Sequence, residues 1–174
     1  MRVESCIKES GNPMASEPLV VILMGSPSDR EHVGQIVAVL ESMKIECVQR
    51  IASAHKTPQR LLDLLAEYES DPRQKVYLTV AGRSNALSGM VDANVSAPVI
   101  ACPPVGSSFA GADLYSSLRM PGGVAPMVVL EPENAGLAAA KILGLSSAEI
   151  AAAVRRRQEE QRKRLAAADT EFGG

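Results

Sequence analysis

Residues 18–24 read Pro18-Leu19-Val20-Val21-Ile22-Leu23-Met24, a continuous apolar run. Such a run is typical of a parallel strand that is buried on both faces of its sheet. It is followed by Gly25-Ser26-Pro27-Ser28-Asp29, and the pair Ser28 and Glu31 fits a capping box for a helix that runs to about Met43. A buried strand, a tight turn and a helix in this order predict the first unit of an α/β fold.

Four more apolar runs alternate with helical patterns along the chain. They predict strands at residues 45–51, 75–80, 98–102 and 127–130. Strands that alternate with helices form parallel sheets with right-handed crossovers. We therefore predict a three-layer α/β/α sandwich with a parallel five-stranded sheet in the flavodoxin-like order 2-1-3-4-5.

The chain is divided into three parts by its composition. Residues 1–17 are polar and are predicted to be a flexible leader, with either Met1 or Met14 as the start. Residues 18–145 form the α/β domain, with no repeat and no internal boundary. Residues 146–174 are predicted to be a C-terminal helix and tail.

The C-terminal helix has little apolar surface to bury. Ser146 and Glu149 fit a capping box, from which a helix is expected to run to about Ala168, and residues 169–174 are expected to fray. Because its apolar stripe is thin, we expect the helix to project from the domain and to contact another subunit. The other interpretation is a charged helix surrounded by solvent.

Composition excludes several classes of function. The chain of 174 residues is 46% hydrophobic and 22% charged, as expected for one folded domain, and its net charge of −2 gives no electrostatic case for binding nucleic acid or membranes. No apolar run approaches the roughly 20 residues of a membrane span. Cys6, Cys47 and Cys102 are widely spaced and form no CxxC pair, which favours a reducing compartment and argues against a zinc or iron–sulfur site. A cytoplasmic protein is expected.

The most informative turn is Ala52-Ser53-Ala54-His55-Lys56-Thr57-Pro58, which follows the second predicted strand. Thr57 suits the N-cap and Pro58 the first position of the next helix. His55 is therefore presented at the carboxyl end of a strand and beside a helix N-terminus, where open α/β sheets bind ligands. The other interpretation is that His55 only packs or caps there. His32, in the preceding helix, is expected to be a surface or half-buried residue.

Two other turns carry chemistry of the same kind. In the turn after the first strand, Gly25 allows a tight bend while Ser26 and Ser28 donate hydrogen bonds, as in a phosphate-binding cradle. The other interpretation, which this turn taken alone favours, is an ordinary capped turn. It is neither a Walker loop nor GxGxxG. Residues 81–90, after the third strand, are small apart from Arg83, whose cation could pair with a carboxylate or phosphate; the other interpretation is a plain connection. All three turns are expected at one edge of the sheet.

A fourth segment, residues 105–118, is a long loop followed by a short helix. It contains Ser107, Ser108, Gly111 and Asp113. Loops of this length in a compact domain are usually functional.

Together these motifs carry a family resemblance that covers roughly residues 19–145. Residues 24–29, 53–58 and 81–86 resemble the purine-biosynthetic aminoimidazole ribonucleotide carboxylase/mutase family. The mutase class typically has a Gly-Gly-Ala-Ala-His loop after the third strand, where this chain has residues 83–89 and no second histidine. Three further segments are similar to class II, which uses carbon dioxide directly; they are residues 102–104, 108–113 and 115–121.

The resemblance implies an activity and a set of site residues. It implies reversible carboxylation of 5-aminoimidazole ribonucleotide by carbon dioxide in a homo-octamer without metal or other cofactor, with His55 as the proton carrier. It places Ser26, Ser28, Ser53 and Lys56 on the 5′-phosphate and Asp29 on the ribose, with Gly25 and Ala81 in the same substrate-binding set, and Gly82, Arg83, Ser84 and Asn85 at the base and carbon dioxide end. The alternatives are the mutase and a non-catalytic protein that binds a phosphoribosyl ligand. A flavin carrier is poorly supported, since no aromatic residue is placed to stack on the ring.

Overall fold

The structure is a computed structural model that describes residues 17–106 and 109–173. Predictions that concern residues 1–16, including the leader, Cys6 and the choice between Met1 and Met14, lie outside the described residues. So do Ser107 and Ser108 of the long loop and the terminal Gly174.

Five strands alternate with six α-helices, close to the predicted elements. The strands are β1 (Leu19–Met24), β2 (Glu46–Ile51), β3 (Lys75–Val80), β4 (Val99–Ala101) and β5 (Met127–Val128). The helices are α1 (Arg30–Ser42), α2 (Pro58–Glu69), α3 (Leu87–Asp92), α4 (Tyr115–Leu118), α5 (Pro132–Leu143) and α6 (Ala148–Phe172). Short 3-10 turns precede α1 and α4, at Pro27–Asp29 and Ala112–Leu114.

All paired strands are parallel, and their order is β2-β1-β3-β4-β5. The predicted flavodoxin-like sheet is therefore confirmed. Every residue of β1 is buried, as its continuous apolar sequence predicted. The register aligns Met24 with Ile51 on one side and with Val80 on the other, so the turns after β1, β2 and β3 begin at the same level.

Alternate residues of the central strand face two separate hydrophobic layers. Val20, Ile22 and Met24 belong to one core cluster with apolar residues of α1, α5 and the start of α6. Leu19, Val21 and Leu23 belong to the other, with residues of α2 and α3. This alternation follows from the period of two in a strand, and it holds β1 rigidly between helices on both sides.

The small residues of α5 allow α1 to approach closely. A Cβ atom added at Gly136 would lie 3.0 Å from the carbonyl oxygen of Ile36 and 3.1 Å from Cβ of Val39. Glycine at this position therefore sets the distance between the two helices.

Both predicted capping boxes were wrong in their residues. The box at the first turn joins Ser26 and Asp29 instead of Ser28 and Glu31, because a 3-10 turn precedes α1. At α6 the N-cap is Ser147, whose side chain accepts a hydrogen bond from the backbone N–H of Ile150, while the Ser146 hydroxyl bonds the Leu143 carbonyl. In each case the local pattern located the helix start within three residues.

The C-terminal helix projects as predicted. Ile150, Ala153 and Val154 pack into the core, whereas every residue from Glu159 to Gly173 is exposed. The predicted fraying from Asp169 was wrong, because α6 continues to Phe172. No helix within residues 17–106 and 109–173 has the length and apolar character needed to span a membrane.

Candidate active site

The turn after β1 is shaped by hydrogen bonds between its own residues. The backbone N–H of Ser26 donates to Oδ2 of Asp29 at 2.9 Å, and Oγ of Ser26 accepts from the backbone N–H of Ser28 at 3.3 Å and its hydroxyl at 2.9 Å. Gly25 donates its N–H to the carbonyl of Val80, which fixes the turn to the end of β3. Two hydroxyl groups and a carboxylate are thus gathered within four residues.

Asp29 and His32 share a partly buried environment beneath this turn. Burial raises the pKa of the Asp29 carboxyl, while the hydrogen bond from the Ser26 backbone and the nearby His32 oppose that rise. Burial also lowers the pKa of His32, whose Nε2 lies 3.2 Å from Sγ of Cys102. Burial, aided by Glu131, raises the pKa of that thiol to about 12, so it stays protonated. His32 is half-buried, as predicted, and does not line the cavity described below.

The turn after β2 presents His55 and Lys56, both exposed. The backbone N–H of Ser53 donates to Oγ1 of Thr57 at 2.9 Å, and Oγ of Ser53 accepts from the N–H of Lys56 at 3.2 Å. Thr57 occupies the predicted N-cap position, and Pro58 is the first helical residue, but the Thr57 side chain closes the turn onto Ser53 instead of capping α2. Like the first turn, this one is held by contacts within four residues.

The loop after β3 is held differently. Arg83 adopts a left-handed backbone conformation with φ of +60°, which costs a residue other than glycine roughly 1–2 kcal/mol. Its N–H donates to Oδ2 of Asp113 at 3.3 Å, from a segment 30 residues further along the chain. A Cβ atom added at Gly82 would lie 3.0 Å from the carbonyl oxygen of Pro104, so the loop passes close to the segment after β4. Tertiary contacts therefore determine its shape.

These turns surround one open cavity of about 560 Å³, a volume typical of small-ligand sites. Each of the predicted site residues except Asn85 lines it: Gly25, Ser26, Ser28, Asp29, Ser53, His55, Lys56, Ala81, Gly82, Arg83 and Ser84. The cavity combines cations on Lys56 and Arg83 with hydroxyl donors and one imidazole, which suits an anionic ligand with a ring. Among the described residues, no group of three or more His, Cys, Asp or Glu could hold a metal ion.

The sequence model of the AIR carboxylase family matches residues 19–164, most of the chain. This chain belongs to the AIR carboxylase family. The family resemblance predicted from the three turns is therefore confirmed.

Two relatives named phosphoribosylaminoimidazole carboxylase are similar to most of this chain. The phosphoribosylaminoimidazole carboxylase of Treponema denticola is 56% identical over 138 residues, which cover 79% of this chain and 87% of the relative. The Archaeoglobus fulgidus protein of the same name is 58% identical over 125 residues, covering 72% and 68%. The crystal structure of Treponema denticola PurE superposes with a TM-score of 0.87 at 51% identity and covers 88% of this chain and 98% of that one.

Several residues that line the cavity were not predicted to be site residues. They are Ala54, Leu87, Pro104, Gly106 and Asp113. Gly106 and Asp113 belong to the long loop after β4, where the length of the loop and the similarity of residues 108–113 to class II were the sequence signals of a role. Asp113 reaches the cavity because it accepts hydrogen bonds from two backbone N–H groups, of Arg83 at 3.3 Å and of Gly106 at 3.4 Å.

Asn85 is the one predicted site residue that does not line the cavity. It is buried, with 4% of its surface exposed. Its backbone N–H donates to Oγ of Ser116 and its side-chain amide to Oγ of Ser117, both at 2.9 Å, while its Oδ1 accepts from the N–H of Ser88 at 3.1 Å. Asn85 thus ties the loop to α3 and α4.

Proposed function

We propose that this chain catalyses the reversible carboxylation of 5-aminoimidazole ribonucleotide by carbon dioxide, a step of de novo purine biosynthesis. The observation that carries the proposal is the meeting of the turns after β1, β2 and β3 around one cavity with His55 at its wall. Family membership and the carboxylase names of relatives at 56% and 58% identity support it.

The turns after β1 and β2 are proposed to hold the ribose 5-phosphate. Ser26, Ser28 and Ser53 offer hydroxyl groups, and Lys56 adds a positive charge that favours a phosphate. Asp29 is proposed to accept hydrogen bonds from the ribose hydroxyls. Because Asp29 is already partly desolvated, hydrogen bonds from the ribose would stabilise its carboxylate more than they would in open water.

The loop after β3 is proposed to face the heterocycle and carbon dioxide. Gly82 lets the backbone approach a flat ring, and Arg83 and Ser84 offer donors to the developing carboxylate. Asn85 is proposed to act at this end by supporting the loop, since it does not line the cavity.

The reaction needs an oriented nucleotide and one proton acceptor. The exocyclic amine of the substrate donates electron density into the ring, and C4 attacks the carbon of carbon dioxide. A carbon–carbon bond forms while the π electrons of one C=O bond of carbon dioxide move onto its oxygen, which carries the negative charge of the new carboxylate. His55 then takes the proton from C4, the ring regains aromaticity, and the imidazole passes the proton to solvent. Histidine suits this task because it exchanges protons near neutral pH.

The mutase is the nearest alternative, and substrate choice separates the two activities. We expect purified protein to convert aminoimidazole ribonucleotide and labelled bicarbonate to the carboxylated product without ATP, as followed by NMR. The absence of a second histidine in the loop after β3 favours this outcome. Turnover solely of the N-carboxylated nucleotide would assign the mutase activity instead.

A non-catalytic phosphoribosyl-binding protein is the alternative from a different class. Such a protein would bind the nucleotide but would not exchange the proton at C4. The test is deuterium incorporation from heavy water at C4 of the aminoimidazole ribonucleotide that forms when the carboxylated nucleotide is decarboxylated in the reverse direction. Binding without any exchange or turnover would support the non-catalytic protein.

We also propose that the chain assembles as a homo-octamer and acts in the cytoplasm. The exposed half of α6, from Glu159 onward, offers a long surface for another subunit. Native mass spectrometry is expected to give eight copies, and a monomer would contradict the proposal.

A further inference from the structure

The carboxylate of Asp113 joins two parts of the cavity wall that the reaction scheme leaves unexplained. Its Oδ2 accepts from the backbone N–H of Arg83 at 3.3 Å and from that of Gly106 at 3.4 Å. Gly106, Arg83 and Asp113 all line the cavity. A single side chain from the 3-10 turn before α4 thus connects the loop after β3 to the loop after β4.

Two serines beside Asp113 extend this connection. Ser116 accepts from the backbone N–H of Asn85 and donates to the carbonyl of Asp113 at 2.7 Å, while Ser117 accepts from the Asn85 side chain. We call Asp113, Ser116 and Ser117 the clasp. The clasp binds backbone N–H groups on both sides of Ser84, at positions 83 and 85, so it fixes the path of the loop between them.

The Arg83 backbone explains why the loop needs a clasp. An arginine at φ of +60° returns to negative φ unless other contacts hold it, because its Cβ crowds the following carbonyl oxygen. That change would reorient Arg83 and Ser84, the two donors proposed for the developing carboxylate. The hydrogen bond from the Arg83 N–H to Asp113 opposes it.

We propose that Asp113 is a positioning residue for the carboxylation step, one that holds the Arg83 loop in its left-handed conformation. The inference rests on the proposed function. Asp113 acts through the loop and not on the substrate, because its Oδ1 is buried out of contact with solvent. Its Oδ2 is directed at the two backbone N–H groups.

The first test measures the loop itself and does not depend on activity. In D113A, backbone amide hydrogen exchange at residues 82–86 should accelerate, while exchange at residues 25–29 and 53–57 should stay as in the wild type. Unchanged exchange at 82–86 would overturn the inference. A wild-type protein without carboxylase activity, combined with faster exchange in D113A, would contradict the proposed function and leave the clasp in place.

The second test separates turnover from binding. We expect D113A to lower kcat by roughly 10- to 100-fold, the loss expected for a small misplacement of reacting groups. The dissociation constant for ribose 5-phosphate, which probes the other end of the cavity, should change by less than about twofold, since the turns after β1 and β2 are intact. D113N should recover most of the turnover because its amide oxygen can still accept both N–H groups.

Asp92 provides a matched control. Its Oδ2 accepts from the backbone N–H of Ala125 at 2.7 Å, across 33 residues, and Asp92 does not line the cavity. D92A therefore removes a comparable long-range bond from a carboxylate to the backbone, and its kcat should remain close to that of the wild type. Equal losses of kcat in D92A and D113A would reduce Asp113 to a general structural role.

A double-mutant cycle tests whether Asp113 acts through the Arg83 backbone. Glycine adopts positive φ without steric cost, so R83G should make the loop depend less on its clasp. We expect D113A to lower kcat by a smaller factor in the R83G protein than in the wild type, a non-additivity expected of residues that act on one element. An identical factor in both backgrounds would contradict the proposed route.

Discussion

The two ends of the cavity are built in different ways. At the end formed by the turns after β1 and β2, the side chains of Ser26, Asp29, Ser53 and Thr57 bond backbone groups two to four residues away. At the end formed by the loop after β3, the hydrogen bonds to Asp113, Ser116 and Ser117 span 30 to 32 residues. The first end is determined by local sequence, and the second depends on the assembled fold. Substitutions should therefore act on binding at the first end and on turnover at the second.

His55 lies on the locally built side but is proposed to serve the chemistry, so it provides the largest test. H55N should lower kcat by about 10³-fold, within the range for loss of a general acid or base. Asparagine keeps a polar side chain of similar reach, so ribose 5-phosphate should bind as before. Steady-state kinetics and calorimetry measure the two quantities.

The control for H55N is H32N. His32 is half-buried under the first turn and does not line the cavity. The kcat of H32N should fall far less than that of H55N. Turnover of H55N at the wild-type rate would remove His55 from the mechanism.

Gly82 tests the end that depends on tertiary contacts. In G82A the added methyl group would meet the carbonyl oxygen of Pro104 at 3.0 Å, so the loop must move away from the segment after β4. We expect kcat to fall by roughly 10- to 100-fold from misplaced reacting groups, with little change in ribose 5-phosphate affinity. Steady-state kinetics measures kcat, and binding calorimetry measures the affinity for ribose 5-phosphate.

G122A is the matched control for G82A. Gly122 also lies in a turn, and apart from Gly122 and its two chain neighbours no heavy atom of the described part of the chain comes within 4 Å of its added Cβ. The kcat of G122A should match that of the wild-type protein. If G82A weakened ribose 5-phosphate binding as much as turnover, the two ends would not be independent.

The same contrast explains what the sequence could predict. Ser26 was identified because glycine and serine next to a strand end are a local signal of a tight turn. Asp29 and Ser53 were identified because the short motifs that contain them resemble those of the family. Asn85 was assigned to the substrate, yet its side chain is bonded to Ser117, and no pattern near residue 85 indicates a partner 32 residues away. Asp113 was missed as a site residue for the same reason.

Errors in the helix starts have a local cause. Ser28 and Glu31 have the spacing of a capping box, and so do Ser26 and Asp29. The 3-10 turn at Pro27–Asp29 selects the second pair. Spacing alone does not distinguish overlapping pairs. The strands, in contrast, followed from the apolar runs with few errors, and their order was predicted from the commonest topology of such sheets.

Lys56 should show the opposite signature to Gly82. K56A removes the cation proposed to contact the phosphate, and the loss of one charge-assisted hydrogen bond should raise KM by roughly tenfold with kcat nearly unchanged. K56R should retain most of the affinity. R60A is the control, since Arg60 carries the same charge on the first turn of α2 but does not line the cavity. An equal rise in KM for R60A would indicate a general electrostatic effect rather than a contact.

Glu69 offers a long-range hydrogen-bond network remote from the cavity. Its carboxylate accepts from the Tyr77 hydroxyl at 2.9 Å and from the backbone N–H and hydroxyl of Ser96 at 3.1 Å. Burial alone would raise the pKa of Glu69, but these hydrogen bonds outweigh it and hold the pKa below 4.5. Because the folded state lowers this pKa, the stabilisation is fully present above the unfolded-state value and is lost as pH falls through the lower folded-state value.

E69Q should therefore have the smallest effect on activity and a measurable effect on stability. We expect the variant to lose about 1 kcal/mol of unfolding free energy at pH 7, and the difference from the wild type should shrink below about pH 4.5 as Glu69 becomes protonated. Denaturant unfolding at several pH values measures this, and kcat at 25 °C should be unchanged. An unchanged kcat in E69Q would show that long-range hydrogen bonds affect turnover only where they hold the loop after β3. A loss of kcat in E69Q as large as that in G82A would show that any weakening of the fold disturbs the loop after β3, and the contrast between the two ends would no longer hold.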